Sequence, residues 1–281
     1  MKKNNKCIFS IVVRIAVVAG TVFTVGILLF IVGYILIKGV PHLKLSLFEF
    51  EYNSTNTSMM PAIINTILMI VLTLVIAIPI GVITAIYLTE YSKRNNLLIR
   101  IIRITTETLS GIPSIIYGLF GYIFFVIFMK FDYSLLSGAL TLSIMILPII
   151  IRTTEEALLA VPNSYREGSY GLGAGKIRTI FKIVLPAAFQ GIFAGIILSI
   201  GRIVGESAAL IYTAGTVPKI ASSLLSSTRT LSVHMYSLWS EGLYTNEAYA
   251  TAVVLLIIVI GINALANKVS KKIIKRWFYG K

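Results

Sequence analysis

Residues Asn163 to Pro186 read NSYREGSYGLGAGKIRTIFKIVLP, a polar, basic and glycine-punctuated stretch in a chain that otherwise runs from one apolar block to the next. Pro162 blocks continuation of the preceding helix. Ser164, followed three residues later by Glu167, has the form of a capping box, which predicts a short helix starting there. Gly171, Gly173 and Gly175 then end it. Lys176 to Val184 can form a second short helix, and Pro186 suits the first turn of the long helix that follows. The expected result is a helix, turn, helix elbow between two apolar spans.

On either side of the elbow, composition decides. Of 281 residues, 57% are hydrophobic and 13% charged, with a mean hydropathy of +0.89, which places the chain among all-α polytopic membrane proteins. Apolar runs predict six transmembrane helices, at about 8–37, 61–89, 108–129, 134–151, 187–213 and 246–267, in a single domain covering 1–281. The first run follows a basic start and is about thirty residues long, too long for a signal-peptide core. With no small-residue cleavage site before Lys38, it is read as an uncleaved span. Residues 92–107, SKRNNLLIRIIRITTE, put Leu98, Ile101, Ile102 and Thr105 on one side and turn Arg100 and Arg103 away, as an interfacial amphipathic helix does.

A net charge of +14 would suggest nucleic acid for a soluble protein, but no basic face with interleaved aromatics exists here, so no nucleic-acid partner is expected. The charges follow topology instead. Nineteen Lys and Arg fall on one side of the spans and five on the other, which by the positive-inside rule puts both termini and the elbow in the cytoplasm, against anionic lipid of the cell membrane. Cys7 alone excludes an intrachain disulfide, and His42 and His234 are expected in solvated loops, so neither a metal site nor a cofactor is predicted. The peptide GLGAGKI at Gly171 lacks the pattern of a phosphate-binding loop, because Tyr170 and Ile177 occupy the required Gly and Ser/Thr places. No catalytic constellation is present either, so if the chain serves an ATP-driven process the energy has to come from a separate subunit.

Arg202 stands alone inside a span, with Glu206 one turn beyond it. A central Arg costs roughly 2.5 to 3.5 kcal/mol on insertion scales, which turns it towards a cavity or a partner. In a continuous helix the two side chains lie about 6 Å apart along one face, within reach of each other. One reading is an ion pair that locks helices. The other is a planar guanidinium fork offered to a tetrahedral oxyanion, with Glu206 neutralising it when no anion is present and accepting a hydrogen bond from a protonated oxyanion, which unprotonated sulfate cannot donate. Ala187, Gly191 and Gly195, and again Gly201, Gly205 and Ala209, recur at four-residue spacing, which favours close helix packing.

Within the elbow, Glu167, Gly173, Ile183, Leu185 and Pro186 fall at relative positions 1, 7, 17, 19 and 20. That spacing resembles the EAA loop of ABC importer permeases, with Gly168 and Ser169 in place of the two alanines. Ile78 to Tyr91, LSGIPSIIYGLFG from Leu109, RTTEEALLAVPNS from Arg152 and GRIVGESAALIYTAGT from Gly201 resemble the A-type permease of phosphate importers. Ser207 and Ala209 stand where that branch has Thr and Pro, so a straighter helix is expected there. The resemblance implies a type I importer permease fold and a cytoplasmic coupling helix with Ser164, Glu167, Gly173, Leu185 and Pro186 in the ATPase contact. It also implies Arg202, Glu206 and Arg152 along the substrate pathway, although Arg152 also reads as a positive anchor at a span end. The implied partners are a homologous permease, two ATP-binding subunits and an extracytoplasmic phosphate-binding protein. A permease for molybdate or sulfate, an autonomous channel or secondary carrier, and a membrane scaffold remain alternatives. Residues 214–245 read equally as a binding-protein contact or an interfacial cap.

Overall fold

A backbone inside hydrocarbon has to satisfy its own hydrogen bonds, and the apolar runs do so as helices. The computed structural model describes residues 2–53, 55–91 and 97–278. In chain order it has α1 (Lys2–Gly39), α2 (Met60–Ile86), α3 (Leu97–Ser110), α4 (Ser114–Gly121), α5 (Leu135–Leu159) and α6 (Asn163–Gly171). Then follow α7 (Lys176–Thr179), α8 (Leu185–Gly205), α9 (Ala208–Thr213), α10 (Leu231–Ser240) and α11 (Thr245–Phe278). Five segments are long and apolar enough to cross a membrane, namely Val13–His42, Met60–Tyr91, Leu135–Leu159, Lys176–Gly205 and Thr245–Ser270. A sixth exists if Ile99–Ser110 and Ser114–Phe128, bent by 106°, count as one.

Helix α5 is the central element. It runs parallel to α2, where Ser143 Oγ donates to Thr73 O at 3.2 Å and Gly81 lies against Ile150. It runs antiparallel to α8, where Gly191 and Gly195 lie directly on Ala157 and Thr153, so close that a side chain at Gly195 would overlap the threonine. Met69, Leu142, Met145, Ile146, Ile203 and Leu210 are among the buried residues of the resulting core. Helix α1 lies along α11, with Gly39 against Tyr249 and Val253, and most of its described side chains are exposed.

At one end of the bundle, residues 214–230 close over the starts of α2 and α5. The first amides of α5 have no partner within the helix. Leu135 N and Leu136 N donate to Ser226 O and Leu224 O at 3.0 and 2.9 Å, and Ser134 Oγ accepts from Ser137 N at 3.1 Å. Asn65 of α2 donates to Lys219 O and accepts from Ala221 N, at 2.8 and 3.0 Å.

Two expected spans are interrupted. The segment 108–129 is not one helix, because α3 continues to Ser110 and the chain turns at Gly111–Pro113 before α4 begins. Pro113 holds an extended ψ of 140° and disfavours helical backbone at the residue before it. Tyr117 braces the bend by donating to Leu109 O at 2.7 Å. Of the amphipathic stretch expected over 92–107, residues 92–96 lie outside the described residues. The remainder buries Ile99 and leaves Ile101 and Ile104 exposed. The segment 187–213 breaks at Glu206, whose ψ of 125° separates α8 from α9, so the straighter helix expected there is not found.

Candidate functional site

The elbow forms, but not by a capping box. Pro162 occupies the N-cap of α6, so Ser164 and Glu167 sit inside the helix and their side chains do not close its first turn. Its other end is a complete Schellman motif. Gly173, at φ +79°, donates to Tyr170 O at 2.9 Å while Ala174 N donates to Ser169 O at 3.1 Å. Only a residue free to take the left-handed region fits there without strain. The second helix is also not separate. Lys176–Gly205 is continuous, with a π-helical stretch at Ile180–Val184 absorbing the amide that Pro186 lacks. Leu185 packs with Ile180, Val184, Leu158 and Ile86 where α2, α5 and α8 meet.

Ser169 and Thr179 hydroxyls meet at 2.8 Å across the elbow, and Lys176 Nζ lies 4.4 Å above the Tyr91 ring. Between α6 and the helix after it lies a cavity of about 540 Å³ lined by Ser164, Tyr165, Leu172, Arg178, Lys182 and Ile183. Glu167 and Leu172 face outward, Leu172 being 91% exposed.

Arg166 is the residue that sequence reasoning missed. Its Nη2 and Nε donate to Glu90 Oε1 at 2.7 and 3.0 Å, and Glu90 lies in the π-helical turn Tyr87–Tyr91 that extends α2. Its Nη1 donates to Val161 O at 2.9 Å and Nη2 also to Leu158 O at 3.0 Å, at the close of α5. Sequence reading counts Arg166 only among the positive-inside charges. The partner lies 76 residues away, at the end of another span, and no periodicity signals the meeting.

Arg202 and Glu206 do not pair. Because the helix ends between them, Glu206 turns to the following segment, where Oε1 accepts from Ala209 N at 3.1 Å and caps α9. Its carbonyl accepts from Ser232 Oγ at 2.5 Å, fixing the break against α10. Arg202, in the last turn of α8, has no ion-pair or hydrogen-bond partner among the described residues. It lies within electrostatic range of Tyr117. Beside it, an added side-chain carbon at Gly201 or Gly205 would meet nothing within 4 Å. The first small-residue stripe is therefore spent on α5, while no other described residue packs within 4 Å of these two positions of the second.

Arg152 is not part of the same cluster. The pairing of Thr153 with Gly195 puts it about 9 Å along the bundle axis from Arg202, at 1.5 Å per residue. It pairs with Glu156 at 3.0 Å, both largely exposed, in a groove of about 530 Å³ that also holds Arg103, Glu107 and Glu155. Arg103 Nη2 meets Glu155 Oε1 there at 2.5 Å. The histidines also depart from expectation. His42 is half-buried with Nδ1 2.9 Å from Lys38 O, and His234 is fully buried in α10 beside the Tyr52 ring. Among the described residues no three His, Cys, Asp or Glu group as a metal site.

Five to six apolar helices around α5, with a polar elbow fixed at one end, define a multi-pass membrane protein of the permease class. The chain matches the binding-protein-dependent transport system inner membrane component family over residues 77–278 and belongs to that family. It is 32% identical over 274 residues to the probable ABC transporter permease protein YqgI of Bacillus subtilis, covering 89% of this chain and 91% of that one. It is 34% identical over 242 residues to the phosphate transport system permease protein PstA of Yersinia pestis, covering 84% and 81%. A chain of a bacterial alginate ABC transporter, solved with an alginate pentasaccharide-bound periplasmic protein, superposes with a TM-score of 0.68 at 15% identity, over 95% of this chain and 98% of that one. A chain of the inward-facing MetNI methionine ABC transporter gives 0.58 at 20% identity, over 75% and 92%. The expected ABC importer permease fold is the fold found.

Proposed function

We propose that this chain is the permease subunit of an ATP-driven importer of inorganic phosphate. It lines the translocation path with a homologous permease, receives phosphate from an extracytoplasmic binding protein, and is driven through α6 by two ATP-binding subunits. Both termini and the elbow face the cytoplasm in this reading, which the excess of Lys and Arg on that side supports. Ser164, Glu167 and Gly173 shape the docking surface, and Leu185 with Pro186 anchors it to the bundle.

The observation that carries the reading is Arg202. A permanent charge in a span, without an ion-pair or hydrogen-bond partner among the described residues and beside Gly201 and Gly205, where an added side-chain carbon meets nothing within 4 Å, is available to a mobile anion. Its fork matches two oxygens of a tetrahedral oxyanion, and an anion in passage supplies the charge that Glu206 does not. Glu206 contributes by holding the helix open at that depth. Arg152, nearer the elbow, stands at the inner end of the path, where its exposed pair with Glu156 is weak enough to exchange for a passing anion. The relatives named as PstA support phosphate over other oxyanions.

Uptake of radiolabelled phosphate by cells carrying the chain with its partner subunits, in excess sulfate or molybdate, tests the substrate. Uptake that resists both competitors is expected. Competition by either, or no phosphate uptake at all, would reassign the permease to another anion.

A further inference from the structure

Arg166 joins three elements through one planar group. Its side chain is 15% exposed and that of Glu90 only 6%, so the pair is largely removed from water, where breaking it leaves a costly unpaired charge. The guanidinium also reaches Leu158 O, which accepts from Val161 N as well, and Val161 O just beyond the close of α5, where a cation is favoured. Lysine cannot reproduce this arrangement, because an ammonium is a compact charge without the rigid fork.

From α6 onward the chain passes through Gly173, Ala174 and Gly175, with open space around both glycines, and the Ser169–Thr179 hydroxyl contact also spans the elbow there. From α5, contact continues to α8 through Thr153 on Gly195 and Ala157 on Gly191, and α8 carries Arg202. A continuous packed connection therefore leads from the elbow through Arg166 to the arginine in the span.

We propose that Arg166, held by Glu90, is a positioning residue that makes α6 move as one body with α2 and α5, so that displacement of the elbow reaches the transport path. This rests on the reading of α6 as the helix that docks on the ATP-binding subunit.

The test uses the complete complex of this chain, its partner permease and its ATP-binding subunits in proteoliposomes, with Arg166→Lys and Glu90→Gln compared with wild type. Three quantities are read: ATP-binding subunit retained, ATP hydrolysed, and phosphate taken up per ATP. Both variants are expected to keep the first two within twofold and to lose at least fivefold in the third. Unchanged uptake per ATP in either variant overturns the proposal, as does a loss of uptake that merely follows loss of protein from the membrane. The docking reading has its own arm in the double variant Glu167→Lys, Leu172→Asp, on outward-facing positions of the elbow. Severalfold loss of ATP-binding subunit is expected there. Full retention would refute docking through this surface, and the positioning role with it, whereas loss there with normal coupling in Arg166→Lys refutes the positioning role alone.

Discussion

His234 shows how one residue's role depends on surroundings that its neighbours in sequence do not reveal. Burial first, and the Arg229 charge second, push its pKa down from 6.5 to about 3. Tyr52 packs edge-on against the ring and also lies under Arg229, on which Glu241 acts from the end of α10. The folded protein therefore keeps a neutral imidazole where the unfolded chain takes up a proton. Its contribution is fully present above pH 6.5 and is lost as pH falls from there towards 3, at up to about 1.4 kcal/mol per unit. Thermal unfolding of detergent-purified protein should fall between pH 6.5 and 5, above the usual carboxylate range, and His234→Phe should flatten that segment. Glu206 gives a second test at this scale. Glu206→Gln keeps an acceptor for Ala209 N and should unfold near wild type, whereas Glu206→Ala removes the cap at about 1 kcal/mol, read as a lower melting temperature. Neither role is legible in the sequence: "SVHMY" shows no contact with Tyr52, and Arg202 with Glu206 has the spacing of a pair that a continuous helix would make.

Among the elements, α5, α6 and α8 differ in how they tolerate added atoms. Gly195→Leu forces α5 and α8 apart where Thr153 already touches the glycine, and should destabilise by about 1–3 kcal/mol or more in thermal unfolding. Gly168→Ala meets nothing within 4 Å inside α6 and should stabilise by about 0.5–1 kcal/mol, since alanine is the better helix former. Gly173→Ala is equally uncrowded but holds φ +79°, and should cost about 1 kcal/mol. The contrast between Gly168 and Gly173 separates helix propensity from backbone handedness within one elbow. The elbow was legible because glycines and prolines act locally, through the few bonds on either side of them. The continuity of Lys176–Gly205 past Pro186, and the direction of the 106° bend at Pro113, were not. A proline marks where a helix is disturbed, whereas packing decides whether it is widened, bent or ended.

At the scale of the whole molecule, hydropathy carried the fold class, because a chain of this composition has few ways to satisfy its backbone in lipid. The proposed functional centre was less legible, since it depends on what lies beside Arg202. The structure separates it from Glu206, sets it about 9 Å along the axis from Arg152, and places no other described residue within 4 Å of a side-chain carbon added at Gly201 or Gly205. On the proposed reading a second permease faces that open surface and a passing anion completes the charge. The most direct test is ATP-dependent phosphate uptake by the reconstituted complex, comparing wild type with Arg202→Ala and Arg202→Lys at equal amounts of assembled protein. The account predicts at least a tenfold loss in Arg202→Ala, with Arg202→Lys intermediate because it keeps the charge without the fork. Wild-type uptake in Arg202→Ala would contradict it and return Arg202 to a packing role.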